Sequence, residues 1–351
     1  MLLEETVDRI GELDAGAMEE ARSCQKNLIK PYGSLGMLEE VAVQIAGITG
    51  QVKPLLENRA VITCAGDHGV AAQKVSAADQ EVTRQMVQGF LDGGAAINVL
   101  ARHVGSRVIC VDLGMIRAFD DPRLKVRRIG PGTGDITKGP AMSKEQARSA
   151  VEAGIEVAVA EIGKGAQLLA TGDMGIGNTT PSTAILAAFT GFPAALITGK
   201  GTGIDHEAML RKGRLVQQAL KVNRPDPRDG LAVLAGVGGF EIGAIAGVIL
   251  GAASLRVPVV IDGFISGAGA MIARVLAPRS VNFMLASHLS EEPGHKVMLT
   301  WLGVRPMLQM NMRLGEGTGA ALSFTLIDAA LKIVREMATF DQAGVSDSGL
   351  R

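Results

Sequence analysis

Aromatic side chains are scarce in this chain of 351 residues. Phe, Trp and Tyr together make up 3% of the sequence, whereas glycine alone contributes 45 residues. Large rings therefore cannot dominate the core, and small residues let helices pack closely on the faces of a sheet. The composition favours a parallel α/β fold with helices on both faces and a ligand site built from glycine turns.

Long apolar runs and clusters of one charge are also missing. The most apolar stretch, 230–255, is interrupted by Glu241 and by recurring glycines. Its uninterrupted part is too short to cross a bilayer, so we expect a buried helix there and no membrane association. The formal net charge is −1 and no basic block occurs. Nucleic acid is therefore not an expected partner, because binding its phosphates needs clustered Lys and Arg.

Cysteine is rare as well, with only Cys24, Cys64 and Cys110. They form neither a CxxC pair nor the Cys/His spacing of a zinc site. An odd number of widely spaced cysteines is typical of buried free thiols in a reducing compartment. The N-terminus, residues 1–5, is acidic and lacks the apolar core of a signal peptide. We therefore expect a cytoplasmic protein.

The apolar periodicity predicts short buried strands that alternate with helices. The predicted strands are 59–64, 107–112, 167–170, 194–199, 257–261 and 281–286. The predicted helices lie within 1–30, at 34–48 with Ser34 as cap, at 80–90, at 143–163 with Ser143 as cap, at 207–220, from 237 onward and from Ala320 onward. The polar end, 343–351, is expected to fray.

Glycine-rich loops with polar side chains follow several predicted strands. In parallel sheets such loops share the edge at the carboxyl ends of the strands, where ligands bind. The loop 66–69 carries Asp67 and His68, which either contact a ligand or only hydrogen-bond the turn. These loops are therefore expected to meet in one site.

The loop 171–181 is the densest of these segments, since it combines three glycines with Asp173, Asn178 and several threonines. Its backbone N–H groups and the following helix N-terminus can bind a phosphate, a sugar or a carboxylate. It has neither the GK[ST] ending of a P-loop nor the GxGxxG of a dinucleotide site. The loop 199–205 repeats this arrangement. Lys212, on the next helix, either reaches an anion or is a solvated charge.

One carboxylate near the C-terminus, Glu316, stands between Gly315 and Gly317 and directly precedes a helical pattern. Flanking glycines allow a sharp turn and close approach of a ligand, and they leave the carboxylate without bulky neighbours. We interpret Glu316 as the general base of an enzyme. No metal is expected, because His288 and His295 lack acids arranged for zinc.

Together, these loops suit a phosphorylated sugar. Their glycine turns can bind anions, they also carry carboxylates, and they contain few aromatic groups. No Cys/His pair, GxSxG elbow or metal cluster is present to suggest covalent or metal-dependent hydrolysis.

Several blocks, spread in order over nearly the whole chain, resemble those of a known family. They are 30–36 (Lys-Pro-x-Gly-Ser-Leu-Gly), 67–69 (Asp-His-Gly), 175–181, 223–230, 238–240 (Gly-Gly-Phe), 262–264 (Asp-Gly-Phe), 287–288 (Ser-His) and 313–321 (beginning Arg-Leu-Gly-Glu-Gly-Thr-Gly). With these blocks the chain resembles the nicotinate-nucleotide–dimethylbenzimidazole phosphoribosyltransferases, which build the lower-ligand nucleotide of cobalamin.

The resemblance implies transfer of ribose 5-phosphate from nicotinate mononucleotide to a benzimidazole, with inversion at C1′, with Glu316 as base and with no cofactor. It also implies a Rossmann-like parallel α/β domain, residues 30–305, and a smaller helical domain made of 1–29 and 306–351. A homodimer is the implied assembly.

By position, the resemblance also assigns the substrate contacts. They are Asp173, Gly175, Gly177, Asn178, Thr179, Gly201, Thr202, Gly203, Lys212, Asp262, Ser290, Met86 and Leu314. Asp173 stands where relatives carry the longer Glu. Ala78 and Met86 depart from the polar residues found in the base pocket of some relatives, so the accepted base is left open.

Two other functions are compatible with the residues. A non-catalytic protein with the same pocket would bind nicotinate mononucleotide without releasing nicotinate. A Rossmann-type oxidoreductase is disfavoured, because no strand–GxGxxG–helix unit is followed by an acid about 20 residues later.

Overall fold

A single parallel sheet forms the centre of the computed structural model, which describes residues 2–346. Its seven strands lie in the order β3-β2-β1-β4-β5-β6-β7, and every neighbouring pair is parallel. This confirms the predicted α/β class. The strands are β1 Arg59–Gly66, β2 Ser106–Gly114, β3 Lys125–Val126, β4 Leu168–Met174, β5 Val259–Ile261, β6 Met284–His288 and β7 Pro306–Leu308.

Helices connect the strands and cover both faces. They are α1 Leu2–Asp8, α2 Ala15–Asn27, α3 Met37–Thr49, α4 Glu81–Leu91, α5 Ala96–His103, α6 Lys144–Gly163, α7 Thr179–Thr190, α8 Ala194–Ile197, α9 His206–Asn223, α10 Gly230–Val237, α11 Phe240–Ser254, α12 Phe264–Leu276, α13 Gly294–Leu302, α14 Thr318–Glu336 and α15 Phe340–Ala343. Two 3₁₀ turns, Gly69–Gln73 and Pro278–Phe283, complete the described elements.

The two faces of the sheet belong to separate apolar clusters because side chains alternate along a strand. On β1, Ile62 and Cys64 pack with the residues of α6, α11 and α12. Their neighbours Val61 and Ala65 pack with α3, α5 and α14 on the opposite face. Strands buried on both sides read as continuous apolar runs, which is why they could be predicted from the sequence.

Close contact between α6 and α11 explains much of the glycine content. A side chain at Gly154 would overlap the carbonyl of Ala244, and one at Gly247 would overlap the carbonyl of Val151. The described part of α11 is buried throughout, apart from the half-buried Ser254 at its end. The predicted interior helix is thus present, but 230–255 holds two helices, α10 and α11, separated at Gly238 and Gly239. Among residues 2–346 no helix has the length and apolarity needed to span a membrane.

Substitution of Gly154 tests this close packing. Gly154→Ala should destabilise the fold by about 1–3 kcal/mol, because the added methyl forces two helix backbones apart. The matched control is Gly163→Ala at the exposed end of the same helix, where nothing lies within 4 Å of the new methyl group. The control should be neutral or slightly stabilising, since Ala is the better helix former. Urea unfolding curves of both variants measure the difference, and equal midpoints would contradict the packing.

Three local predictions are wrong. The segment 194–199 is not a strand, because Ala194–Ile197 forms a short helix after Pro193; a short apolar run of Ala and Leu does not distinguish the two. The strand predicted from 281 begins only at Met284, after a 3₁₀ turn. Ser34 does not cap α3, whose preceding residue is Gly36 with a left-handed φ of 54°.

The division into domains stays a prediction. Helices α2 and α3 contact each other and α14 on one face of the sheet, whereas α1 packs against α6 and α11 on the other face. The segment assigned to the smaller domain also contains β7, which pairs with β6 in the sheet. Of the expected frayed end, Ala343 closes α15, and residues 347–351 lie outside the described residues.

Candidate active site

A cavity of about 320 Å³ lies where the loops after several strands meet. Its size is in the usual range for small-molecule sites. Polar and glycine residues dominate the part of its wall that the sequence predicted, namely Asp173, Gly175, Gly177, Asn178, Thr179, Gly201, Thr202, Ser290 and Leu314. These residues come from several loops and line one cavity, as expected for loops that share one edge of the sheet.

The Glu316 loop has an unusual backbone. Gly315, Glu316 and Gly317 all have left-handed φ values, 89°, 64° and 97°. This conformation is unfavourable for a residue with a side chain and persists only where neighbours enforce it. Neither glycine can be replaced freely, since a side chain at Gly317 would come within 2.5 Å of Val61. The two glycines thus permit the turn that sets the direction of Glu316.

Contacts with β1 and β4 enforce that conformation. The amide of Glu316 donates to the carbonyl of Asp173 at 3.2 Å, and its carbonyl accepts from the Thr63 hydroxyl at 2.9 Å. A side chain at Gly172 would overlap the Glu316 backbone. The loop therefore lies directly on the end of β4, and Gly172 provides the space for it.

Asp262 holds the other side of the loop. Its carboxylate, buried at the end of β5, accepts from the amide of Gly317 at 3.3 Å and from that of Ala320 at 2.9 Å. It therefore satisfies donors at the start of α14 that no residue of the helix itself can satisfy. His288 faces Asp262, with Nδ1 3.9 Å from Oδ1, and a side chain at Gly319 would overlap the His288 ring.

The Glu316 carboxylate is not exposed, contrary to the expectation from its glycine neighbours. Glu316 is only 4% exposed, and its Oε2 accepts from the amide of Ile97, at the start of α5, at 3.2 Å. Burial raises the pKa of Glu316, the Ile97 amide opposes this, and the negative charge of Asp262 adds to the rise. A carboxylate in this setting binds a proton more readily than one in water.

Asp173, at the end of β4, is the second carboxylate of the site. Asn178 donates to its Oδ2 at 2.9 Å, while Oδ1 has no hydrogen-bond partner among the described residues. Burial raises the pKa of Asp173 well above its ordinary value, and the nearby charges of Asp262, Glu241 and Glu316 raise it further. The edge of the sheet is therefore a strongly electronegative environment that favours positive charge in the cavity.

The loop 175–179 is fixed by contacts from three elements. Gly175 lies against the carbonyl of Gly66, with no space for a side chain. The amide of Ile176 donates to the buried Thr83 hydroxyl of α4 at 3.1 Å. The Thr179 hydroxyl accepts from Lys212 Nζ at 2.6 Å. This loop is thus set before any ligand arrives, which lowers the entropic cost of binding.

Comparison with known proteins gives the family of the chain. A phosphoribosyltransferase family model matches residues 10–345. A nicotinate-nucleotide–dimethylbenzimidazole phosphoribosyltransferase of Roseiflexus sp. (strain RS-1) is 57% identical over 98% of both chains, and one of Desulforudis audaxviator is 54% identical over 99% of both. The chain belongs to the nicotinate-nucleotide–dimethylbenzimidazole phosphoribosyltransferase family. It is thus a pentosyltransferase enzyme.

The fold of the family is known from a solved relative. The crystal structure of the nicotinate-nucleotide–dimethylbenzimidazole phosphoribosyltransferase from Thermus thermophilus superposes with a TM-score of 0.90. The two chains are 46% identical, and the match covers 95% of this chain and 99% of the other. The similarity extends to the whole α/β architecture described above.

Five of the predicted site residues of this family member do not line the cavity. Glu316 and Asp262 are direct chain neighbours of the lining residues Gly315 and Gly263, and Lys212 reaches the cavity wall through Thr179. Gly203 lies outside the lining on an exposed loop, and Met86 is half-buried beside the apolar cluster of α4 and α14. Their assigned roles stay predictions.

Sequence reasoning did not assign three ionisable side chains that the fold brings to the cavity. His288, Glu292 and Arg313 all belong to its lining. The Ser-His and Arg-Leu-Gly-Glu blocks contained two of these residues. Glu292 was not singled out, although Ser290, two residues earlier, was an assigned substrate contact. Asp67 and His68 do hydrogen-bond within their surroundings: Asp67 accepts from the Ile116 amide, and His68 pairs with the buried Glu241 at 2.9 Å.

No metal site is apparent, since residues 2–346 contain no group of three His, Cys, Asp or Glu side chains that could hold an ion. Cys64 and Cys110 are buried thiols and Cys24 is half-buried; none is in a disulfide. Burial raises the pKa of Cys110 to about 12, so this thiol is unreactive.

Neutralising Asp173 tests the electrostatics of the site. A folded-state pKa above the unfolded value means that the protonated form is favoured on folding, and this stability is lost as pH rises through the folded pKa. Asp173→Asn should therefore stabilise the protein by about 1–3 kcal/mol at pH 8 relative to wild type, with a smaller gain at pH 5.

The control for this test is Asp229→Asn at the cap of α10. Burial opposes the charge of Asp229, but the Ala232 amide and Lys144 outweigh it and lower the pKa of Asp229. The control should therefore be neutral or destabilising at pH 8. Thermal melting of both variants from pH 5 to 8 gives the comparison, and a loss of stability in Asp173→Asn that grows with pH would contradict the assignment.

Proposed function

We propose that this enzyme transfers ribose 5-phosphate from nicotinate mononucleotide to 5,6-dimethylbenzimidazole or a related base. The products are α-ribazole 5′-phosphate and nicotinate, as in the lower-ligand step of cobalamin biosynthesis. The observation that carries the proposal is the buried Glu316 carboxylate, held on a left-handed turn beside a cavity of glycine loops. The names of the relatives, given above, support the choice of substrates.

The charges of the site suit such a transfer. Nicotinate mononucleotide carries a pyridinium, and positive charge grows at C1′ as the bond to nicotinate breaks. The buried Asp173 carboxylate lies in the cavity wall, close enough to Asp262 and Glu316 for their charges to interact. Together these carboxylates favour that positive charge in a medium of low dielectric constant. Nicotinate leaves with the bonding electron pair as a neutral pyridine ring and needs no general acid.

The base attacks C1′ through one ring nitrogen, from the face opposite to nicotinate, so the β configuration becomes α. The proton on its other ring nitrogen becomes acidic as the new bond forms, and Glu316 accepts it before releasing it to water. A well-placed base contributes about 10²- to 10⁴-fold to the rate. Holding both substrates in line contributes more.

The remaining assigned residues divide between the two substrates. In this proposal the 5′-phosphate binds the loop amides of Gly175 and Gly177, with Lys212 as the nearby cation and Gly201 in the adjacent wall of the cavity. Asn178, Thr179, Thr202, Gly203 and Ser290 complete the nucleotide end, and Asp173 lies near the ribose. Leu314, which is 58% exposed and lines the cavity, supplies apolar surface for the base. Met86 is assigned to the base pocket by the family resemblance alone.

The proposal extends to a homodimer in the cytoplasm that needs no cofactor. The family resemblance supports the dimer, and the odd number of unpaired cysteines suits a reducing compartment. Light scattering of the purified protein would measure the mass directly, and a monomer at micromolar concentration would contradict this part.

Replacing Glu316 tests the reaction. Glu316→Gln should still bind nicotinate mononucleotide but lower kcat by about 10²- to 10⁴-fold, because the amide cannot accept the proton. Chromatographic assay of nicotinate and α-ribazole phosphate, with dimethylbenzimidazole as acceptor, gives the rate. The control is Glu336→Gln at the exposed end of α14, the helix that follows the Glu316 loop.

Wild-type turnover by Glu316→Gln would refute the role of Glu316. Binding of nicotinate mononucleotide by the wild type with no nicotinate release would instead favour a non-catalytic nucleotide-binding protein.

The pH dependence gives a second, independent test of Glu316. Since burial raises its pKa, the carboxylate loses its proton only above the ordinary pKa of glutamate. The value of kcat/KM should therefore rise with pH along a limb whose midpoint lies above about 4.5, the usual region for Glu. This limb should be absent in Glu316→Gln. Initial rates between pH 4.5 and 8.5 measure it, and an identical limb in the variant would assign it to another group.

A further inference from the structure

Glu292 is a buried carboxylate at the end of the cavity where an anion is expected to bind. It follows β6, precedes α13, and is 7% exposed. It lines the cavity together with Gly201 and Thr179. A negative charge in this place should repel a phosphate, so the structure must use it for some other purpose.

The first contact of Glu292 is with the loop 199–203. Its Oε1 accepts from the amide of Gly201 at 2.9 Å. Its Oε2 lies so close to Gly199 that a side chain there would overlap it. The carboxylate therefore fixes the position of this loop, and Gly199 is the residue that allows the approach.

The second contact is electrostatic and involves Lys212. Lys212 is fully buried, and its Nζ donates to the Thr179 hydroxyl at 2.6 Å and to the Gly199 carbonyl at 3.4 Å. An ammonium has three donors, so one remains for a ligand. Burial lowers the pKa of Lys212 to about 8, and the charge of Glu292 acts against this decrease.

Glu292 also has an unpaired oxygen. Its Oε2 is buried and has no hydrogen-bond partner among the described residues. A buried carboxylate with an unpartnered oxygen is costly, and the nearby ammonium reduces that cost. A glutamine would accept from Gly201 equally well, so the hydrogen bond alone does not explain an acid here.

From these contacts we infer that Glu292 is a positioning residue for the phosphate end of the substrate. It holds the loop 199–203 in place beside the loop 175–179 and supplies the counter-charge of Lys212, so that the amides of Gly175 and Gly177 and the ammonium together receive the 5′-phosphate. The inference rests on the proposed function and names a residue that this function did not require.

The other charged groups around Lys212 do not take this role. Arg313, on the loop before α14, donates to the Gly201 carbonyl at 3.2 Å and adds positive charge. Lys200 and Asp205 carry the charges of the loop itself, and both side chains are exposed. Arg211, next to Lys212 on α9, donates to the carbonyl of Lys74. Glu292 is thus the buried acid whose charge acts on Lys212.

Two variants separate the two contacts. Glu292→Gln keeps the acceptor for Gly201 and removes the charge, whereas Glu292→Ala removes both. Glu291→Gln, the exposed neighbour, is the matched control. For each protein, KM for nicotinate mononucleotide and kcat are measured from pH 6 to 9 with saturating dimethylbenzimidazole.

Glu292→Ala should raise KM for the nucleotide by about tenfold or more, the usual effect of losing a hydrogen bond to a charged group, with a smaller change in kcat. The KM of Glu292→Gln should be near that of wild type at pH 6 and rise progressively toward pH 8. Without the charge of Glu292, Lys212 loses its proton at a lower pH than in wild type. The control should match wild type throughout. A KM within twofold of wild type in both variants, or a fall in kcat alone, would overturn the inference.

A binding measurement separates this inference from the proposed reaction. Inorganic phosphate and nicotinate mononucleotide are each tested for their ability to raise the melting temperature of three proteins, namely wild type, Glu291→Gln and Glu292→Gln. Stabilisation of wild type and Glu291→Gln that is lost in Glu292→Gln at pH 8 supports the role of Glu292 even if no turnover occurs. Equal stabilisation of all three overturns it, whereas absent nicotinate release by wild type contradicts only the reaction.

Discussion

The site depends on the hydrogen bonds between the Asp262 carboxylate and the start of α14. Asp262 ends a central strand, and its oxygens accept from the amides of Gly317 and Ala320. Because these donors have no partner within the helix, the carboxylate fixes both the helix and the turn before it. The conformation of this turn then sets the position of Glu316. A helix from the C-terminal end of the chain is thereby fastened to the sheet edge.

Glycine serves this protein mainly by providing space. Gly172, Gly175 and Gly319 each lie where a side chain would overlap a neighbouring backbone or ring. Loops can therefore lie directly on the ends of strands, and their backbone allows close approach of a ligand. Gly154 and Gly247 have the same function between two buried helices. Scarce aromatics and abundant glycine are two aspects of this close packing.

The site has two electrostatic poles. Around the end of β4, Asp173, Asp262 and Glu316 are buried close enough for their charges to interact, and each has a raised pKa. At the other end Lys212 is buried with Glu292 as its nearby acid. A molecule with a cationic ring at one end and a phosphate at the other matches this polarity. Low dielectric constant strengthens both poles, since water does not screen the charges.

The sequence by itself determined the α/β class, most strands and the loops that form the cavity, because these follow from local patterns: buried parallel strands read as apolar runs, and glycine marks the turns after them. The same local reading failed at 194–197, where an apolar run of four residues fits a helix as well as a strand.

Only the tertiary structure decided the environment of each functional side chain. Glycine neighbours suggested an exposed Glu316, but the Ile97 amide and the packing of α5 and α14 bury it. Glu292 carried no local signal at all, since its partners lie about 80 to 90 residues earlier in the chain. Burial, partner charges and pKa values depend on contacts between distant segments, and a one-dimensional pattern does not contain them.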